Sequence, residues 1–139
     1  MASNDRQATA ADVMTPGPRT CSTFSTVLEA VLIFRDADCG AVPVLDDGKP
    51  VGLLTDRDIA VRVLAENRDP RTTLIGDLCG GEVATLGPDD DLDAARQLVR
   101  EHAVRRIPVL KDGIPVGVVS AGDLALAADA APGAWPESS

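Results

Sequence analysis

The 139-residue chain has no tyrosine, one tryptophan and two phenylalanines. Its interior must therefore be aliphatic, and a site that grips a flat ligand by aromatic stacking is disfavoured. Positive charge is also scarce. Thirteen Lys and Arg stand against 22 Asp and Glu, for a net charge of -9. Nucleic acids and anionic membranes both require a basic face to replace counterions, so neither is an expected partner. The three cysteines, Cys21, Cys39 and Cys79, form no C-x-x-C pair. They read as reduced thiols that act as small buried hydrophobes in a cytoplasmic protein. No apolar run approaches the ~18 residues of a membrane span. Met1 to Ala11 lacks the apolar stretch of a signal peptide. There is no nucleophile elbow, no phosphate loop with its lysine and no metal-spaced Cys/His set. His102, the single histidine, stands near a helix end among charges, without a catalytic constellation around it. No catalytic residue, metal ligand or required cofactor is expected.

What the chain does have is an internal repeat. Sliding the sequence by 65 residues aligns its halves without a gap. Val42-Pro43-Val44-Leu45 meets Ile107-Pro108-Val109-Leu110, Asp47-Gly48 meets Asp112-Gly113, Pro50-Val51-Gly52 meets Pro115-Val116-Gly117, and Asp58 meets Asp123. Chance does not place two prolines, two glycines and an aspartate at one offset.

Each repeat reads as helix, strand, strand, helix. Val27, Ala30, Val31 and Phe34 mark one face of a helix over 26–37, and Leu92, Ala95, Leu98 and Val99 mark its partner over 91–103. Two short apolar runs follow in each repeat, 41–45 and 51–54 in the first. Asp46-Asp47-Gly48-Lys49 separates them and is a hairpin signal, repeated at Lys111-Asp112-Gly113. Pro50 and Pro115 should sit at strand starts or edges, because proline cannot donate to a ladder. Second helices are expected over 57–66 and 122–131, and extended lead-ins around 18–21 and 83–86. A unit of about 55 residues buries little alone, so the two should share their sheet faces. The expected organisation is a frayed start (1–9), a first unit (10–66), a connector (67–74), a second unit (75–130) and a frayed tail (131–139) in which Trp135 is exposed or lightly docked.

Each second strand runs into its helix through a matched segment, Gly52-Leu53-Leu54-Thr55-Asp56-Arg57-Asp58 and Gly117-Val118-Val119-Ser120-Ala121-Gly122-Asp123. Thr55-x-x-Asp58 is close to a capping box. The same spacing also suits a nucleoside phosphate. The hydroxyl can donate to a phosphate oxygen, and the carboxylate matches a ribose diol. Gly, two apolar residues, Thr or Ser, two variable residues and Asp resembles the ribose-phosphate motif of CBS domains. The apolar-Pro-apolar strands Val42-Pro43-Val44 and Ile107-Pro108-Val109 are similar to that family too. The resemblance covers 12–130 in two copies. It implies an α+β fold of two units, each with a lead-in strand, a helix, a two-stranded hairpin and a helix, packed about a pseudo-two-fold axis.

The resemblance further implies an adenosyl ligand in the cleft between the units, with adenine held among aliphatic side chains such as Val42, Val44, Ile107 and Val109. It implies homodimers as well, often flat four-unit discs. Arg105 and Arg106 directly precede Ile107-Pro108, whereas the first unit has Gly40 and Ala41 there. The family often carries basic residues at these positions, pointing to phosphates. The Ser120/Asp123 pocket is accordingly expected to hold phosphates more tightly, with Arg57 serving the Thr55/Asp58 pocket. The expected ligand residues are Val42, Pro43, Thr55, Arg57, Asp58, Arg105, Arg106, Ile107, Pro108, Ser120 and Asp123. AMP, ADP, ATP or a related adenosyl compound is the expected regulatory ligand, and the regulated protein target would be reached in trans. An alternative is an interaction module whose ligand sites have decayed. It is favoured by the replacement of Asp12-Val13-Met14-Thr15-Pro16 by Asp77-Leu78-Cys79-Gly80-Gly81 in the second unit. The acidic run Asp89 to Asp93 matches only the first ligand positions of a calcium loop, with Ala94 and Arg100 where glycine and glutamate belong. N-capping of a helix is its expected role.

Overall fold

The computed structural model describes residues 8–79 and 83–129. Trp135, Gly80, Gly81 and the expected frayed tail lie outside these. Of the expected frayed start only Ala8 and Thr9 fall within them, and Thr9 caps a short helix, α1 (Ala10–Val13). The remaining elements are β1 (Thr15–Pro16), β2 (Cys21–Ser22), α2 (Val27–Ala37), β3 (Ala41–Asp46), β4 (Lys49–Thr55), α3 (Asp56–Ile59), α4 (Leu92–His102), β5 (Arg106–Lys111), β6 (Ile114–Ser120) and α5 (Ala121–Asp129). A π-helical turn, Ala60–Leu64, continues α3, and a 3-10 turn spans Ile75–Asp77. The fold is α+β, with two units of the expected order.

Local chemistry fixes the boundaries. Thr26 caps α2 by accepting from the Glu29 N–H, and Glu29 reaches back to the Thr26 N–H. Asp91 caps α4 by accepting from the Ala94 N–H at 2.8 Å, which is the role expected for the acidic run. Both hairpins turn on two residues with positive φ, Asp47 and Gly48 (52° and 78°) and Asp112 and Gly113 (53° and 81°). That geometry matches the right-handed strand twist and suits Asp-Gly. Register shifts between Val44 and Leu45 and between Val109 and Leu110 mark bulges. Pro50 and Pro115 lie beside them, where a missing donor costs least. The first unit's last helix departs from the α-helix expected over 57–66, since only its first turn is α-helical.

Two three-stranded sheets result, ordered β2-β3-β4 and β1-β6-β5. In each, the hairpin pairs antiparallel. The lead-in β2 pairs parallel with β3, and Leu86 makes the matching parallel bridge to Val109. Behind the sheets lie two aliphatic cores, one centred on Val27, Val42, Val44, Leu54 and Val63, the other on Leu92, Ile107, Val109 and Val119.

The segments ahead of the lead-ins are exchanged between units. Ala10, Val13 and Met14 pack into the second core, and β1 pairs with β6, Thr15 opposite Val118. Reciprocally, Ile75, Leu78 and Cys79 pack into the first core. The hydrogen bonds follow the repeat. The Ala10 N–H donates to the Asp90 carbonyl and the Ile75 N–H to the Ser25 carbonyl, both at 2.8 Å. Two glycines admit the visiting side chains. A Cβ on Gly117 would lie 2.2 Å from the Met14 sulfur, and one on Gly52 would lie 3.2 Å from the Cys79 sulfur.

Candidate functional site

Two clefts lie between the units. Each joins the Thr/Ser-x-x-Asp helix start of one unit to the strand start of the other. The first, about 390 Å³, has Thr55, Arg57, Asp58 and Arg62 on one side and Val83, Ala84, Val104, Arg105, Arg106 and Pro108 on the other. Val51, Leu53, Leu78 and Cys79 add apolar wall. The second, about 400 Å³, joins Ser120 and Asp123 to Pro18, Arg19, Asp38, Cys39, Gly40 and Ala41. These volumes suit a small organic ligand.

The motif is a capping box in both units. The Thr55 N–H donates to Asp58 Oδ2 at 2.9 Å, and the Asp58 N–H donates to the Thr55 hydroxyl oxygen at 3.1 Å. Ser120 and Asp123 repeat this at 3.1 and 3.0 Å. The box leaves Oδ1 of each aspartate and the O–H of each hydroxyl for a ligand. The cap holds each carboxylate through Oδ2, and both aspartates line the clefts.

The two arginines differ from expectation. Arg105 lines the Thr55/Asp58 cleft rather than the Ser120/Asp123 cleft, and Gly40 and Ala41 line the latter. The Arg105 backbone does stay beside the second motif, where its carbonyl accepts from the Ala121 N–H at 2.7 Å. The residue nonetheless lines the cleft shared with the Thr55/Asp58 helix start of the other unit. Arg106 lines both clefts and forms an ion pair with Asp56 across the boundary, Nη1 to Oδ1 at 3.7 Å. It lies over Gly40, where a Cβ would come within 2.9 Å of Nη2. This half-exposed pair contributes at most about 1 kcal/mol.

Thr55, Arg57, Asp58, Arg105, Arg106 and Pro108 meet in the first cleft, and Ser120, Asp123 and Arg106 in the second. Val42, Pro43 and Ile107 line neither. Val42 and Ile107 are fully buried in the two cores, as are Val44 and Val109. Three consecutive residues of β3 and three of β5 are buried, and of these six Pro108 alone also lines one of the two clefts. Sequence reasoning missed Arg62, whose guanidinium donates to the Leu78 carbonyl, and Arg19 and Asp38. None of these belongs to a motif. The repeat could not have found them, since their partners at the same offset are Ala127, Ala84 and Ala103.

The cysteines are free. Burial pushes the Cys21 thiol up to about 12, helped by the neighbouring Cys79 and Glu29. Burial also raises Cys79, with Asp58 adding to the effect and Arg62 opposing it. Both stay protonated near neutral pH and are poor nucleophiles. Among the described residues no helix is long and apolar enough to cross a membrane, and no group of three or more His, Cys, Asp or Glu is placed to hold a metal ion.

The CBS domain family profile matches residues 10–65 and again 75–129. CBS domain-containing protein YhcV of Bacillus subtilis is 37% identical over 115 residues, covering 83% of this chain and 81% of that protein. Hypoxic response protein 1 of Mycobacterium tuberculosis is 34% identical over 118 residues, with 84% and 82% covered. A crystal structure of Hypoxic Response Protein I, described with two coordinated zinc ions, superposes with a TM-score of 0.72 at 33% identity over 85% of this chain and 97% of that one. The CBS domain pair of protein MJ0100, in complex with 5′-methylthioadenosine and S-adenosyl-L-methionine, gives 0.76 at 25% identity, with 86% and 94% covered. The duplicated sequence and the two units of the fold agree with this double match: the chain belongs to the CBS domain family and carries two CBS domains in tandem.

Proposed function

We propose that this protein is a non-catalytic, cytoplasmic regulatory module that binds an adenine nucleotide or related adenosyl compound in the clefts between its two CBS units. One observation carries the reading. In both clefts a hydroxyl and a carboxylate, locked by a capping box, face a strand start contributed by the other unit. The carboxylate edge left by the box suits a ribose diol, and the hydroxyl and arginines suit phosphate. The MJ0100 domain pair, which holds two adenosyl compounds, supports the ligand class. No additional cofactor is invoked, and a protein target would be met in trans.

Ligand stabilisation tests this directly. A compound that binds only the folded chain adds about 2.7 kcal/mol at 100 times its Kd. AMP, ADP, ATP and S-adenosylmethionine, each at millimolar concentration, are to be screened by thermal shift. At least one should raise Tm by several degrees. No movement with any of the four would overturn the reading and favour an interaction module with decayed sites.

We further propose a homodimer. Val61 and Leu126 occupy equivalent places in the repeat, at the C-terminal helices, and are 47% and 42% exposed, with Leu64 at 64% beside Val61. Paired exposed apolar groups on repeated helices suit a self-complementary contact. Light scattering at micromolar concentration should give about twice the 14.4 kDa of one chain. A mass of one chain would contradict the proposal.

A further inference from the structure

Compared along the repeat, the clefts are unequal in charge. The first is lined by Arg57, Arg62, Arg105 and Arg106 against Asp58, a formal charge of +3 among the described residues. At the four equivalent positions the chain has Gly122, Ala127, Gly40 and Ala41. The second cleft has Arg19 and Arg106 against Asp38 and Asp123, a formal charge of zero. In the first cleft Ala84 and Ala103 stand where Arg19 and Asp38 stand in the second. The shared group, Arg106, already leans on Asp56 of the first unit.

We propose that the clefts take different chemical classes: an adenine nucleotide with two or three phosphates in the Thr55/Asp58 cleft, and a phosphate-free adenosyl compound in the Ser120/Asp123 cleft. The inference rests on the adenosyl-binding reading above. Against the whole chain's net charge of -9, a polyphosphate is repelled at long range and gains affinity only from close charge-assisted bonds. Four guanidinium groups supply these in the first cleft. Once a polyphosphate there recruits Arg106, the second cleft keeps Arg19 against two carboxylates and carries a net negative charge. A second polyphosphate is then disfavoured. A neutral or cationic adenosyl compound loses nothing, since its ribose still meets Asp123.

Calorimetry on the full chain, with ATP in magnesium-free buffer and 5′-methylthioadenosine as probes, separates the cases. One ATP should bind per chain, weakening steeply with added salt. ATP-saturated protein should still take up one methylthioadenosine, with little salt dependence. Arg105 is exposed, so Arg105→Ala should fold normally and weaken ATP binding about tenfold or more while leaving methylthioadenosine unchanged. Asp123→Asn, which keeps an acceptor for the Ser120 N–H, should weaken methylthioadenosine alone. Two equivalent ATP molecules per chain, displacement of all methylthioadenosine by ATP, or unchanged ATP binding in Arg105→Ala would each overturn the division of classes while leaving adenosyl binding intact. Binding of neither probe, with no thermal shift from any adenosyl compound, would overturn both.

Discussion

A chain lacking residues 1–17 is expected to lose about 3–5 kcal/mol, and the loss should fall on the second unit. Of the deleted residues, 10–17 belong by sequence to the first unit, yet Ala10, Val13 and Met14 are packed in the second core. Ala10 is fully buried there. Val13 and Met14 are half-buried, so each contributes part of the about 1.5–3 kcal/mol of a fully buried side chain, and the deletion also removes the Thr15–Val118 and Pro16–Gly117 pairing. A domain of this size commonly has only about 5–15 kcal/mol in total. The trough over Gly117 that Met14 fills would open to water, and β6 would present an uncovered edge. Hydrogen exchange read by peptide locates the damage. Amides of β5 and β6 should lose protection while those of β3 keep theirs. Loss confined to the first unit would show that the exchange of segments does not hold in solution.

The mirror experiment is Ile75→Ala, expected to cost about 2–5 kcal/mol, the usual range for an isoleucine truncated in a packed core. Ile75 is fully buried and sits in the first core. The family profile nevertheless begins its second match at that residue. The backbone bond from Ile75 N–H to the Ser25 carbonyl survives the substitution, so the measured loss reports packing. Urea unfolding gives the magnitude, and exchange protection gives the place, which should be α2, β3 and β4. A loss below about 1 kcal/mol, or one centred on β5 and β6, would contradict the assignment of Ile75 to the first core.

Much of the fold was legible because its signals are local. The 3.6-residue spacing of Val27, Ala30, Val31 and Phe34, the Asp-Gly turns and the capping Asp91 each describe a few neighbouring residues, and each is found where its chemistry puts it. The site was legible in part for the same reason. Thr55 and Asp58 meet through three residues of chain, so spacing alone brings them together. What the sequence hides is the relation between the halves. A repeat offset pairs each residue with its equivalent, Met14 with Cys79 or Gly52 with Gly117, whereas in space Met14 meets Gly117 and Cys79 meets Gly52. Sequence comparison is blind to this crossing because both arrangements satisfy it equally. The same blindness assigned Arg105 to the pocket nearest its backbone rather than the one across the boundary. The π-helical turn at Ala60–Leu64 has no marker in composition or spacing that we can identify.

The exchange also sets an order of events during synthesis. Thr15 finds its strand partner only at Val118, so this segment is made long before the strand that seats it. Until β6 exists, Val13 and Met14 have no native groove to occupy. The first core, in turn, stays open until Ile75 and Leu78 have emerged. Contacts that close such long loops slow folding. The nascent chain therefore carries Val13 and Met14 unseated until the second hairpin has emerged to receive them.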